Sequence, residues 1–253
     1  MKSFVSNFQV NELLNTLLNY LSEILGNQLI GVYLHGSLAL NDFKPDRSDI
    51  DLVVVTKNIL PDDILEKLKE IHQKITSSNS SYAKRIECIY IPIESLKNYK
   101  EENAYFPCLH IGGDFYTDGF GLLEKHVLRE KGIVIQGPEP KSFIKPVSAN
   151  ELKRAALNSL KEWWLPKLKD HSKLKADDYQ VYAILTMCRA LYTIQRGEIT
   201  SKTAASQYAK QIFDHKWIEL IDEALSWEIG KKFNRLSETL SYIRYVLIKL
   251  NII

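Results

Sequence analysis

A chain of 253 residues, 45% hydrophobic and 25% charged, has the make-up of an ordinary globular protein and can bury about 70–75% of its unfolded surface without staples. Its 33 Lys and Arg against 31 Asp and Glu leave a net charge of +2, which argues against a protein that coats nucleic acid, where a strong basic excess is the rule. Cys88, Cys108 and Cys188 are odd in number and widely spaced, so they read as reduced thiols rather than a disulfide frame or a zinc site. With no signal-peptide pattern and no apolar run approaching ~20 residues, the expectation is a cytoplasmic protein without a membrane partner.

Val10, Leu13, Leu14, Leu17, Leu18, Leu21 and Leu25 recur at helical spacing and predict a helix over 7–26, with Gly26 as its stop. Residues 28–35 read as a strand and 37–40 as the opening of a short helix. Residues 41–47, with Pro45, are turn chemistry. A second strand over 49–56 carries the apolar run Ile50, Leu52, Val53, Val54 and Val55. Residues 61–76 form an amphipathic helix with Pro61 near its start, and 85–93 a third strand. The stretch 95–120 is broken by Gly112, Gly113 and Gly119 and carries no clear pattern. A helix over 121–131 and a short strand over 132–136 follow. Gly137, Pro138 and Pro140 mark a linker. Beyond it, helical patterns cover 149–169, 179–195, 201–213, 217–227 and 233–250, with no internal repeat. The expected class is α+β: a mixed sheet with helices over 1–147, then an all-helical domain over 148–253.

The chemistry concentrates in two places on the first half. Gly36 and Ser37 follow a strand and precede a helix. There glycine lets a ligand approach the backbone, and free helix N–H groups suit phosphate oxygens. Asp49 and Asp51 are two apart on a strand, so both side chains leave one face. Their repulsion at ~4 Å is on the order of a few kcal/mol near a protein surface, and Mg²⁺ with substrate phosphates is the usual resolution. On the third strand Glu87 shares a face with Ile89 and Ile91. If that strand neighbours the Asp strand, Glu87 becomes a third acid, able to bind metal or to take a proton from an attacking hydroxyl. Each signal has a plainer reading: a turn, a solvated strand end, an edge-strand ion pair. The combination is far more specific than its parts.

Gly36 and Ser37, with Ser48, Asp49, Ile50 and Asp51, resemble the signature of the DNA polymerase β-like nucleotidyltransferase superfamily. Arg189, Ala190, Leu191 and Tyr192, then Gly197, Glu198, Ile199, Thr200, Ser201 and Lys202 before an Ala-rich helix, resemble the helical C-terminal domain of the aminoglycoside (3″)(9) adenylyltransferases. The resemblance covers nearly the whole chain. It implies an ATP-dependent transfer of AMP to a hydroxyl of spectinomycin or streptomycin, with pyrophosphate leaving. It implies that Asp49, Asp51 and Glu87 serve Mg²⁺ and catalysis, with Glu87 as the base. Gly36, Ser37 and Ser48 would line the phosphate site. Arg189 and Lys202 match cations that reach the triphosphate from the helical domain, and Trp227 falls near a family tyrosine that packs on the nucleotide. The expected partners are ATP and a small-molecule substrate, with no nucleic acid, on a monomer.

The chain departs from the family at several points. Asn41 and Asp42 replace two glycines, although Asn tolerates the left-handed conformation. Trp163, Trp164, Asp170, Asp177 and Asp178 stand out of register with the family's streptomycin-contacting Trp and acid. His110, Asp114 and Asp118 occupy the place of a family Trp segment. A polycationic substrate calls for an acidic cleft, and Glu87, Asp114, Asp177 and Asp178 are its candidate liners. His126 is assigned no role. Two further readings stay open: a different acceptor, protein or small molecule, and a non-catalytic nucleotide sensor.

Overall fold

The computed structural model describes residues 2–78, 80–109 and 115–253. They fall into two compact units: Met1–Phe43 with Ser48–Pro146, and Lys44–Arg47 with Val147–Ile253.

The first unit is built on one mixed sheet. Its elements in chain order are α1 (Phe8–Leu25), β1 (Leu29–Leu34), α2 (Gly36–Ala39), β2 (Ile50–Thr56), α3 (Asp62–Thr76), β3 (Ile86–Pro92), α4 (Ile93–Lys97), β4 (Tyr105–Leu109), β5 (Phe115–Gly119), α5 (Leu122–Lys131) and β6 (Ile133–Gln136). The strand order is β5-β4-β3-β2-β1-β6. Only β2 and β3 run parallel, because α3 lies between them in sequence and a parallel pair needs such a crossover. The predicted seventh heptad-like stripe of α1 is buried in full, and the helix is started by Asn7, whose side chain accepts from the Val10 N–H at 3.0 Å.

Strand alternation sorts the sheet into two faces. Val32, Leu34, Leu52, Val54, Cys88 and Tyr90 join the stripes of α1 and α3 in one core. Tyr33, Val53, Val55, Ile91 and Phe106 join Leu96 of α4, Leu128 of α5 and Phe143 in another. Within β2 only Asp51 is not buried, so a carboxylate interrupts an otherwise dry strand where it enters the sheet. The unreadable stretch 95–120 contains α4 and the β4–β5 pair. Both strands of that pair are short, and Pro107 sits inside one of them, which masks the alternation a strand would show.

The second unit carries α6 (Ala149–Ser159), α7 (Asp177–Arg196), α8 (Lys202–Ile212), α9 (Ile218–Ser226) and α10 (Leu236–Lys249) around one apolar core. A capping box starts α6: Glu151 N–H donates to Ser148 Oγ at 3.3 Å, and Ser148 N–H to Glu151 Oε2 at 2.8 Å. The single helix expected over 149–169 is not formed. A π-turn over Leu160–Trp164 and a 3-10 turn over Leu165–Leu168 replace its second half. Pro166 has no N–H for the i−4 carbonyl and its ring clashes with that turn, and the wider π-turn sets Trp164 into the core at 1% exposure while Trp163 faces outward. Lys44–Arg47 clusters with this unit through Arg47, whose guanidinium donates to the Trp227 carbonyl at 2.6 Å. Among the described residues no helix is long and apolar enough to cross a membrane.

Candidate active site

β1 ends at Leu34, and the chain turns at once into α2. Gly36 holds φ +55° there, a conformation that costs other residues steric strain. A Cβ on Gly36 would lie 1.8 Å from Asp51 Oδ2, so the Asp51 carboxylate rests directly against the glycine's Cα. The contact is fixed by the sheet: His35 N–H donates to the Asp51 carbonyl at 2.9 Å. The His35 ring is held as well, stacked on Phe120 and donating from Nε2 to the Glu124 carbonyl at 2.9 Å. Asn41, where the family has glycine, adopts φ +55°, so the left-handed turn forms with asparagine. Asp42 N–H then closes the loop on the Ser37 carbonyl at 2.9 Å.

The conditional step in the sequence argument, that β3 neighbours β2, holds in the structure. Asp51 and Glu87 are register partners across the parallel pair, so their side chains leave the same face. Asp49 lies immediately before β2, one residue short of the predicted strand start. The Ser48 carbonyl accepts from Arg85 at 3.1 Å, which anchors the approach to the strand. Ser37 Oγ is buried with no hydrogen-bond partner. A buried hydroxyl left unpaired is costly, and a phosphate oxygen would satisfy it. Burial first, then the charges of Cys108, Glu87 and Asp51, push the Cys88 thiol well up, as expected where two carboxylates sit behind a buried strand.

Among the described residues no three His, Cys, Asp or Glu side chains close into a cage for a metal ion. The acid face is instead an open set of hard oxygens beside an unpartnered hydroxyl. That suits Mg²⁺, which takes one or two carboxylates and completes its octahedron with water and substrate phosphates.

In the second unit, Gly197 ends α7 in the left-handed conformation at φ +72°, with room for no side chain because Ala149 Cβ would lie 2.7 Å away. Ser201 caps α8, accepting from Ala204 N–H at 3.2 Å, and Lys202 is its exposed first residue. Arg189 is half-buried on α7. Its terminal nitrogen donates to Thr186 Oγ1 at 3.3 Å, its Nε is buried without a partner, and no described acid pairs with it. A cation in that state is set up to receive an anion.

Other candidates have local duties. Asp177 Oδ1 accepts from the Phe233 and Asn234 N–H groups at 3.1 and 3.3 Å, and these bonds, with Lys232 beside it, hold its carboxyl below the usual range. Asp177 therefore pins the segment before α10 to the start of α7 rather than offering itself as a free liner. Asp178 is exposed and accepts from the Tyr179 N–H at 2.8 Å. The indole N–H of Trp227 is used on the Lys231 carbonyl at 2.9 Å. Trp163 carries Lys167 over its ring at 3.6 Å. His126 sits on α5 with Nδ1 buried and unpartnered. His110 and Asp114 lie outside the described residues. Tyr116 and Asp118 on β5 were not among the sequence candidates for the cleft. The β-forming residues on either side of Gly112 and Gly113 were the available hairpin signal.

A one-turn helix at a glycine–serine corner, set against facing carboxylates on a mixed sheet, defines a nucleotidyltransferase. The family model described as a nucleotidyltransferase domain matches residues 14–108, and the one described as the aminoglycoside adenylyltransferase C-terminal domain matches 142–247. The chain belongs to the aminoglycoside adenylyltransferase family. A spectinomycin 9-adenylyltransferase of Campylobacter jejuni is 28% identical over 212 residues, covering 77% of this chain and 76% of that one. One of Staphylococcus aureus is 26% identical over 237 residues, covering 88% and 86%. A crystal structure of the spectinomycin adenyltransferase of Enterococcus faecalis, with ATP and spectinomycin, shares the fold at a TM-score of 0.70 and 21% identity, over 94% of this chain and 99% of that one.

Proposed function

We propose that this protein is an ATP-dependent adenylyltransferase that transfers AMP to a hydroxyl of an aminocyclitol antibiotic of the spectinomycin class and releases pyrophosphate. The observation that carries the reading is the register pairing of Asp51 with Glu87 beside the Cα of Gly36. Glu87 is the base: it takes the proton of the acceptor hydroxyl as that oxygen attacks the α-phosphorus and the bond to pyrophosphate breaks. Asp49 and Asp51, with Glu87, are the residues that would hold Mg²⁺. Bound there, the ion neutralises charge developing on phosphate oxygens and aligns the groups. Gly36, Ser37 and Ser48 bind the phosphates, with Ser37 Oγ gaining the partner it lacks. Arg189 and Lys202 are the cations the helical domain offers to the triphosphate. The relatives named for spectinomycin support that acceptor over streptomycin. Three free, buried cysteines suit a cytoplasmic protein, and we take it to act as a monomer.

Pyrophosphate release is the test, with Mg-ATP and either spectinomycin or streptomycin, and Asp49→Ala as control. Release that needs spectinomycin and Asp49 is expected. Equal rates with Asp49→Ala, or no release with either drug, would overturn the proposal.

A further inference from the structure

The acid pair does not stand alone on its face of the sheet. Ile89 pairs with Cys108, Cys108 with Tyr116, and Phe106 with Asp118. Alternation therefore puts Asp51, Glu87, Ile89, Cys108, Tyr116 and Asp118 on one face. Further along the strands that face is covered by α4 and α5 through Val53, Val55, Ile91 and Phe106. The rows nearer the acids have no such cover: Glu87 and Ile89 are half-buried, Tyr116 is 37% exposed, and Asp118 is exposed. The result is a strip leading from the acid pair to the edge strand. Two strand spacings, about 10 Å, separate β3 from β5, a span that suits a fused-ring aminocyclitol whose reacting hydroxyl is at Glu87.

The strip has two chemistries that such a substrate needs. Tyr116 offers an aromatic shelf, and its hydroxyl is held in place by donating to the Cys108 sulfur. The negative charges of both Asp118 and Glu87 are felt at Tyr116, so the shelf lies in an acidic field. One oxygen of Asp118 accepts from the Gly119 N–H at 2.8 Å, which fixes the carboxylate while leaving it exposed.

We infer that Tyr116 and Asp118 form the acceptor subsite, the Tyr116 ring carrying the apolar face of the aminocyclitol and Asp118 receiving one of its ammonium groups. The inference rests on the reading of Asp51 and Glu87 as the adenylyl-transfer site. It is tested with Asp118→Asn, Tyr116→Phe and Tyr116→Ala in the full chain, measuring kcat and both KM values for ATP and spectinomycin. Asp118→Asn keeps an acceptor for the Gly119 N–H and loses only the charge. It should raise the spectinomycin KM about tenfold and leave the ATP KM and kcat in place. Tyr116→Ala should raise the spectinomycin KM, and Tyr116→Phe should restore most of it, because the ring carries the contact. In the unmodified protein the spectinomycin KM should rise with added salt, and in Asp118→Asn it should rise less. An unchanged spectinomycin KM in both Asp118→Asn and Tyr116→Ala overturns the subsite while leaving the parent reading standing. An unmodified protein that releases no pyrophosphate with spectinomycin removes the parent reading and the subsite together.

Discussion

Gly36→Ala separates the role of the phosphate turn from its mere shape. The backbone there sits at φ +55°, which costs an alanine about 1–2 kcal/mol. The new methyl would also lie 1.8 Å from Asp51 Oδ2 and 2.7 Å from its Cγ, where ordinary contact begins at 3.4 Å. The carboxylate is the end of a side chain, so it escapes by rotating, which moves its oxygen by about 1.5 Å at little cost to packing. Stability should therefore fall by only about 1–2 kcal/mol. A misplacement of about 1 Å can cost ~100-fold in rate, about 2.7 kcal/mol of barrier, so kcat should fall about that far. Gly230→Ala is the matched control. It has φ +84° with nothing within 4 Å of the added Cβ, and it should carry the strain alone with kcat unchanged. Initial rates of pyrophosphate release and urea melts on both variants settle the matter. If Gly36→Ala kept kcat within about twofold of the unmodified protein, the Asp51 carboxylate would not be placed for the reaction, and Gly36 would be an ordinary turn glycine.

Arg189→Met should raise the ATP KM about tenfold without lowering stability, since it removes a half-buried cation that has no described acidic partner; a lowered melting temperature with unchanged ATP KM would make Arg189 a structural residue. His72 is buried, bonded through Nε2 to Tyr90 Oη at 2.8 Å, and burial lowers its pKa from 6.5 to about 4. The unfolded chain thus gains a proton first on acidification: stability is intact above about pH 6.5 and falls by about 3 kcal/mol toward pH 4. Urea melts across that window should show the slope, and His72→Gln should flatten it; an equal slope in the variant would refute the assignment. Asp177→Ala should lower the melting temperature, through loss of the bonds to Phe233 and Asn234, and leave the spectinomycin KM alone; a raised KM would return Asp177 to the cleft. Ser148→Ala breaks the capping box and should cost about 1 kcal/mol in a urea melt with activity unchanged.

The acid pair was legible because it depends on two local facts. Parity alone puts Asp51 and Glu87 on faces that can coincide, and the amphipathic helix between their strands is long enough to force a parallel crossover, after which the register brings them opposite. The turn at Gly36 and the left-handed Asn41 were equally local, readable from residue type. What escaped depends on residues far apart in sequence. Residues 44–47 look like a turn of the first unit, yet Arg47 is tied to a carbonyl 180 residues away, and no window of sequence contains that bond. Asp177 carries the same acidic signal as a substrate-facing residue. Only the arrival of the Phe233 and Asn234 N–H groups shows that its charge is already spent on backbone. Tyr116 and Asp118 were hidden for a third reason. Their strand is five residues long and exposed along most of its length, so it lacks the apolar alternation that announces a strand. The same exposure is what keeps the Tyr116 ring and the Asp118 carboxylate within reach of a substrate, so on an edge strand the absence of a folding signal and the presence of a binding surface have one cause.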